Sequence, residues 1–218
     1  MKKLALAIVI LLATPIVAGL LYGGKGYVDA VAASDALKTR ADAILAEGRG
    51  GSGLGDERLR QLLLVQDPAF ETHSGIDLSS PGAGLTTISQ SVSKRLAFEE
   101  FKPGIGKLRQ TGYAFGLESR LSKDRILALW LETLEMGRGP QGWMTGFYQA
   151  SEAVYEKAPP QLTDEQYYRL LAVLIAPGSY DLLSDDPDLA ERVRRISRLV
   201  AGECAPVDNG DVWLEGCR

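Results

Sequence analysis

Apolar positions dominate the start of the chain. The stretch from Leu4 to Tyr22 contains 19 consecutive residues without a charge, and Lys2 and Lys3 precede it. At about 1.5 Å per residue, a helix of this length covers the roughly 30 Å core of a bilayer. A cleaved signal peptide is the alternative, although its apolar region usually has only about 7–15 residues. We therefore predict an uncleaved single-pass anchor in residues 1–24, with the lysine pair in the cytoplasm and the rest of the chain exported.

Helical spacing continues after the anchor. Residues 25–57 predict an Ala-rich juxtamembrane helix followed by a glycine-rich loop, and the main domain is expected in residues 58–202. Residues 203–218 form a Gly/Pro/Asp-rich tail. Helix starts are predicted where a side chain can cap the first turn or a proline fits it, at Ser122, at Thr163 with Gln166, and at Asp186 with Pro187.

The segment around Pro140 is interpreted in the same way. Pro140 suits the first turn of a helix, so we predict one from Pro140 to about Lys157, after an apolar helix that stops at Gly137. No alternating pattern of useful strand length appears. The exported part is therefore predicted to be mainly α-helical.

Composition excludes several kinds of chemistry. The 218 residues include one histidine, His73, and two cysteines, too few for a His-rich or four-thiolate metal site. A net charge of −4 argues against broad nucleic-acid binding. We predict no cofactor and no metal ligands; a divalent metal is compatible with the sequence but not indicated by it. Cys204 and Cys217 could close a disulfide in an oxidising compartment, and two unpaired thiols in a frayed tail are the alternative.

Two segments carry candidate chemistry. Gln66–Asp77 combines polar residues, an aromatic residue and a glycine directly after an apolar helix, as a loop lining a cleft would. Gly84–Lys94 is a hydroxyl-rich helix start with a lysine about two turns on. Backbone N–H groups, hydroxyls and a cation at a helix N-terminus suit a phosphate or pyrophosphate, although Thr and Ser at such positions are more often simple caps.

The order of the segments resembles the family 51 glycosyltransferases. These are the peptidoglycan polymerase domains of class A penicillin-binding proteins and the monofunctional transglycosylases. Gln66–Asp77 matches their first motif, E-D-x-x-F-x-x-H-x-G-x-D, at every fixed position but the first, and Gly84–Lys94 follows G-x-S-T-I-T-Q-Q-x-x-K. Gly106–Gln110 and the later Glu118 align with the third motif, R-K-x-x-E and a second Glu, and Lys123–Glu132 aligns with K-x-x-I-L-x-x-Y-L-N.

This resemblance implies a lysozyme-like, two-lobed, all-α fold with a cleft beside the inner membrane, on its periplasmic side. The implied substrate is lipid II, joined to a growing glycan strand. In the family the Glu of the first motif is the general base, and the Glu of the third motif assists. The resemblance also implies that Asp67, Thr86, Gln90, Lys94 and Lys107 hold the pyrophosphate or sugar. Arg192–Arg198 lies where the family has its last, Arg-rich motif, and could meet lipid head groups or pyrophosphate, or form a solvated face.

Both family glutamates are replaced, by Gln66 and Gln110. An amide has nearly the shape of a carboxylate but cannot take up a proton near neutral pH, and loss of a general base typically costs about 10²–10⁴-fold in rate. The acids that could substitute are Asp67, Glu71, Glu118 and Glu132. The link between the first two motifs is also short, only residues 78–83, where the family usually has a helix-length insert.

The sequence is therefore compatible with three functions. The leading one is a membrane-anchored, transglycosylase-like protein of peptidoglycan assembly that binds lipid II or a glycan strand, with polymerase activity lost or weak. The second is an active polymerase with a displaced base. The third is a non-catalytic interaction module for a peptidoglycan synthase.

Overall fold

The computed structural model describes the backbone of residues 2–218 and the side chains of residue 11 and residues 13–218. This part of the chain is mostly helical, as predicted. Its α-helices, in chain order, are α1 (Lys2–Ala46), α2 (Asp56–Gln66), α3 (Ile88–Ala97), α4 (Gly106–Glu118), α5 (Lys123–Thr133), α6 (Phe147–Tyr155), α7 (Asp164–Val173) and α8 (Pro187–Val200). A hairpin of β1 (Glu135–Gly139) and β2 (Gly142–Thr145) separates α5 from α6, and short 3-10 turns occupy Ser52–Leu54, Pro159–Gln161 and Glu215–Cys217.

Helices α1 and α4 pack against each other through glycines. A Cβ on Gly26 would lie 2.1 Å from the carbonyl oxygen of Arg109, and one on Gly112 would lie 1.9 Å from that of Gly23. Backbone-to-backbone contact of this kind is open only to glycine. Next to it, Arg109 Nη2 donates to Asp29 Oδ2 at 2.8 Å and joins the two helices by an ion pair.

Helix α5 forms the middle of the core. Its apolar run from Ile126 to Leu131 is buried almost completely, and α5 packs against both α1 and α3. Tyr167 of α7 is fully buried and meets Phe147 of α6 edge-on, with ring centroids 5.8 Å apart. Burial of apolar side chains such as these is the dominant favourable contribution to folding.

The predicted caps form as expected. Ser122 accepts a hydrogen bond from the N–H of Arg125, and Asp186 accepts from the N–H groups of Asp188 and Leu189. Thr163 and Gln166 form a reciprocal capping box at the start of α7. Each cap satisfies N–H groups that have no partner within their helix.

The helix predicted from Pro140 is wrong at its start. Pro140 lies in the turn of the β1–β2 hairpin, where Gly139 pairs with Gly142, and α6 begins only at Phe147. Helix α5 also ends at Thr133, before the predicted stop at Gly137. The reason is backbone conformation: Leu134 is already extended (φ −61°, ψ 133°), and Gly142 (φ 119°) adopts an angle that does not belong to a helix. Neither strand alternates between buried and exposed residues, so the sequence carries no strand pattern here.

The start of α1 is apolar and partly exposed. The predicted anchor, residues 1–24, lies partly outside the residues whose side chains are described. Among the described residues, no helix contains an apolar stretch long enough to cross a membrane. Ile16, Leu20 and Leu21 are exposed.

The C-terminal tail is held in place at several points. Cys204 and Cys217 are joined by a disulfide, with a Cα–Cα distance of 5.2 Å. Arg195 Nη1 donates to the carbonyl of Trp213 at 2.9 Å, and Arg198 Nη1 donates to that of Cys217 at 3.0 Å. The tail is therefore a packed part of the fold.

Candidate active site

The loop after α2 is organised by a buried carboxylate. Asp67 has no exposed surface and accepts a hydrogen bond from the backbone N–H of Ile88, the first residue of α3, at 2.8 Å. His73 Nε2 lies 2.9 Å from the same oxygen, and the N–H of Gly75 donates to His73 Nδ1 at 3.0 Å. Because Nδ1 accepts, Nε2 carries the proton and donates to Asp67. Asp67 and His73 thus hold the loop against α3.

Helix α3 begins where the sequence predicts it. The Thr87 hydroxyl accepts from the N–H of Gln90 at 3.2 Å and donates to the carbonyl of Gly75 at 2.8 Å. The residue therefore caps the helix and also fixes it to the preceding loop. This arrangement places Gln90 and Lys94, four residues apart, on the same side of α3.

Gln110 lies in the buried contact between α3 and α4. It is 1% exposed, and its Nε2 donates to the carbonyl of Gln90 at 2.6 Å. Gln90 in turn donates from Nε2 to Thr111 Oγ1 at 3.1 Å. The side-chain oxygens of Gln90 and Gln110 are buried and have no hydrogen-bond partner among the described residues. An amide suits position 110, because a carboxylate oxygen facing the same carbonyl would be repelled by it.

Gln66 is the last residue of α2 and is partly exposed. Its neighbour Asp67 contacts α3, whereas no hydrogen bond of the Gln66 side chain is found in the described part of the chain. The structure therefore joins Gln110 to Gln90 and Gln90 to Thr111, pairs Lys107 with Thr86 in a separate hydrogen bond, and leaves Gln66 outside both.

Two lysines meet around Phe101. Lys107 Nζ donates to Thr86 Oγ1 at 3.1 Å. Lys94 Nζ and Lys107 Nζ lie 5.2 Å and 6.0 Å from the centre of the Phe101 ring. Burial, and secondly the positive charge of Lys94, lowers the pKa of Lys107. Two cations held this close over an aromatic ring suit an anion with two charged ends.

Glu118, which the sequence singled out, is the centre of a partly buried polar cluster, whereas its partners Ser89 and Lys123 were not predicted as site residues. Glu118 accepts hydrogen bonds from the hydroxyl of Ser89 and from Lys123 Nζ, the latter at 2.8 Å. Lys123 Nζ also donates to the carbonyl of His73 at 2.6 Å. Ser89 and Lys123 both lie within the aligned motifs, and their positions there were the only signal in the sequence that could have indicated these contacts.

The carboxylates that could replace the lost glutamates are mostly engaged elsewhere. Asp67 and Glu118 are occupied as described, and Glu132 forms an ion pair with Arg40 of α1 at 2.7 Å. Glu71 is exposed. No group of three or more potential metal ligands occurs among the described residues.

The C-terminal tail supports the loop that leads into α3. The N–H groups of Gly82 and Gly84 donate to the carbonyls of Asp208 and Asn209 at 2.8 Å and 2.7 Å. Asn209 Nδ2 donates to the carbonyl of Ser80 at 2.9 Å. The short link between the first two motifs is therefore covered by the tail, which its disulfide closes into a loop.

These motifs and this helical arrangement define a peptidoglycan transglycosylase domain. A family model described as Transglycosylase matches residues 54–201, and the chain belongs to this family. Among its relatives, a biosynthetic peptidoglycan transglycosylase of Chromobacterium violaceum is 29% identical over 65% of this chain and 66% of its own length. One from Marinomonas sp. is 31% identical over 61% of this chain and 63% of its own length.

Longer relatives share the same domain. Penicillin-binding protein 1F of Bacillus subtilis is 29% identical over 54% of this chain, but the match spans only 18% of that protein. The first two transglycosylases that match are covered over 66% and 62% of their own lengths. The chain thus spans less than two thirds of the length of these relatives.

Proposed function

We propose that this chain is a transglycosylase-like protein of peptidoglycan assembly that binds a lipid-linked pyrophosphate or glycan substrate and has lost most or all of its polymerase activity. One observation carries the proposal. Gln110, at the position of a family glutamate, donates to the Gln90 carbonyl and is buried, so neither its chemistry nor its environment suits proton transfer.

The other acids support this interpretation. A general base needs a free carboxylate within hydrogen-bond reach of the acceptor hydroxyl. Asp67 already accepts from His73 and Ile88, and Glu118 already accepts from Ser89 and Lys123. Freeing either one would leave buried donors unpaired, which costs about 1–3 kcal/mol per group.

The binding half of the proposal rests on Lys94, Lys107 and Thr86. Lys107 Nζ lies beside the Thr86 hydroxyl, just before the start of α3, and Lys94 from the last turn of α3 adds a second positive charge near Phe101. A hydroxyl with two cations suits the pyrophosphate of lipid II. This site needs no proton transfer, so it can work without Gln66 and Gln110 being acids.

Labelled lipid II tests the proposal. The full chain in detergent is expected to bind it without forming polymer, and Lys94→Ala with Lys107→Ala is expected to weaken binding at least roughly tenfold. Arg138→Ala, which removes an exposed cation from the hairpin, is the control. Polymer that disappears on Glu118→Gln would instead establish an active enzyme with a displaced base. Absence of both polymer and binding would favour the interaction module.

Restoring glutamate at positions 66 and 110 tests whether the rest of the site is intact. Gln66→Glu is tested alone and together with Gln110→Glu, because a carboxylate at position 110 would face the carbonyl of Gln90 unless it rotated or was protonated. Gained polymerase activity would show that these two amides are the main cause of the loss.

Membrane attachment is a further part of the proposal and rests on the sequence of residues 4–22. Ile16, Leu20 and Leu21 add exposed apolar side chains at the start of α1. Leu20→Asp is expected to reduce co-flotation with lipid vesicles, whereas Val207→Asp in the equally exposed tail is not. Equal flotation of both variants and the parent would contradict attachment through this face.

A further inference from the structure

A pocket lies between α8 and the C-terminal tail, apart from the two lysines around Phe101. It has a volume of about 310 Å³, and its lining includes Tyr180, Arg192, Arg195, Trp213 and Glu215. Trp213 and Glu215 come from beyond residue 201, where the family match ends. The pocket is therefore built partly by a segment that lies outside the family match.

Arg192 is the unusual residue in this pocket. It is 4% exposed, and its Nε and Nη1 are buried with no hydrogen-bond partner in the described part of the protein. Burial lowers the pKa of Arg192 to about 10, so it stays protonated at neutral pH. A buried, charged donor without a partner is costly, and such groups are normally paired or bind a ligand.

Arg195, on the same helix, differs from Arg192 because its donors have hydrogen-bond partners. Its Nε donates to Glu191 at 2.9 Å, and its Nη1 donates to Glu215 at 2.7 Å and to the carbonyl of Trp213 at 2.9 Å. Glu191 and Glu215 are thus used by Arg195, whereas Nε and Nη1 of Arg192 are left without a partner among the described residues.

We propose that this pocket binds a small organic carboxylate through Arg192, with the apolar body of the ligand between Tyr180 and Trp213. A planar carboxylate matches the two-pronged guanidinium. A doubly charged phosphate fits less well, because Asp188, Glu191 and Glu215 also line the pocket and would repel it. The volume is at the lower end for small-molecule sites, which are usually about 300–1,000 Å³.

The chain contains its own reporters for a test. Its three tryptophans each give one indole N–H signal in a ¹⁵N spectrum, and only Trp213 lines the pocket, whereas Trp130 is buried in α5 and Trp143 lies in the hairpin. N-acetylphenylalanine is the probe, and its uncharged amide is the control ligand. The Trp213 signal is expected to shift and saturate with a Kd of about 1 mM, whereas Trp130 and Trp143 stay in place.

Variants separate a carboxylate site from a general effect on the fold. Arg192→Gln is expected to weaken binding at least roughly tenfold, and Arg192→Lys, which keeps the charge but not the fork, by an intermediate factor. Arg194→Gln changes an exposed arginine on the same helix and is expected to stay within about twofold, since exposed ion pairs contribute little.

Three results would overturn the proposal. The first is that the Trp213 signal does not shift up to about 50 mM carboxylate, which is far above the expected Kd. The second is an equal shift with the uncharged amide. The third is tighter binding of inorganic phosphate than of the carboxylate. Should Arg192→Gln fail to fold, judged by circular dichroism, the comparison of acid and amide on the parent chain and the Arg192→Lys variant still decide the question.

Discussion

The glycine contact between α1 and α4 gives a prediction with a matched control two residues away. Gly24 and Gly26 are both in α1, but a Cβ on Gly24 would meet nothing within 4 Å, whereas one on Gly26 would lie 2.1 Å from the Arg109 carbonyl oxygen and 2.9 Å from the Tyr113 nitrogen. Both replacements by alanine gain the same helix propensity, about 1 kcal/mol. The difference between them therefore measures the contact with α4.

The size of that difference follows from the geometry. A normal contact requires the Cβ and the carbonyl oxygen to separate by about 1 Å more than the present packing allows, because non-bonded atoms do not approach much closer than about 3.2 Å. The atoms in the way belong to the backbone, so rotation of a side chain cannot relieve the clash. Overpacking of this kind costs about 3 kcal/mol at the upper end of the usual range. Gly26→Ala is therefore expected to destabilise by about 2 kcal/mol net, and Gly24→Ala to stabilise by up to about 1 kcal/mol.

Thermal unfolding of the parent and the two variants, in one detergent, checks this. A difference of about 3 kcal/mol between the variants corresponds to roughly 6–12 °C in Tm for a domain of this size. Gly112→Ala, whose Cβ would lie 1.9 Å from the carbonyl oxygen of Gly23, should behave like Gly26→Ala. Equal Tm values for Gly24→Ala and Gly26→Ala would refute the close packing of α1 on α4.

Three further outcomes are expected. Replacing Cys204 and Cys217 by serine removes a cross-link between positions 13 apart and should lower the free energy of unfolding by about 3 kcal/mol, measured by urea denaturation. Asp67→Asn should cost about 1–3 kcal/mol in the same assay, because a side-chain NH₂ would face donors that now meet a carboxylate. Since the pKa of Lys107 is lowered, its charge is lost at a lower pH than that of an ordinary lysine. Binding of inorganic pyrophosphate, measured by calorimetry, should therefore weaken as pH rises through that lowered value. Lys94→Ala should move this loss to higher pH, and an unchanged profile would contradict the coupling.

The features that the sequence predicted correctly are local. Ser122 and Asp186 bond to N–H groups two or three residues away, and Thr163 and Gln166 satisfy one another. Such contacts depend on residue type and short spacing alone, so a pattern can show them. The hairpin at Pro140 was missed because positive φ angles at glycines and pairing between strands decide it, and neither has a periodic pattern.

The candidate site also contains some features that the sequence predicts and others that only the folded structure shows. That a Thr or Ser caps the start of α3 follows from the sequence, and the motif resemblance indicates Lys94 and Lys107. The hydrogen bonds from Gly82 and Gly84 to the tail join residues more than a hundred positions apart. Local residue spacing therefore cannot predict them. The orientation of the Gln110 amide toward the Gln90 carbonyl also depends on the packing of α3 on α4.

The network around α3 explains how this site can lose its acids without losing its shape. The buried carboxylates that remain, Asp67 and Glu118, hold the motif-one loop, α3 and the start of α5 together. They are acceptors for buried donors, so their removal would disturb the frame. Gln110 is also part of the frame, but through a neutral donor that an amide supplies and an ionised carboxylate does not. Under the proposed function, the frame and the two lysines thus persist with no free base, and binding and proton transfer become separable properties of the same fold.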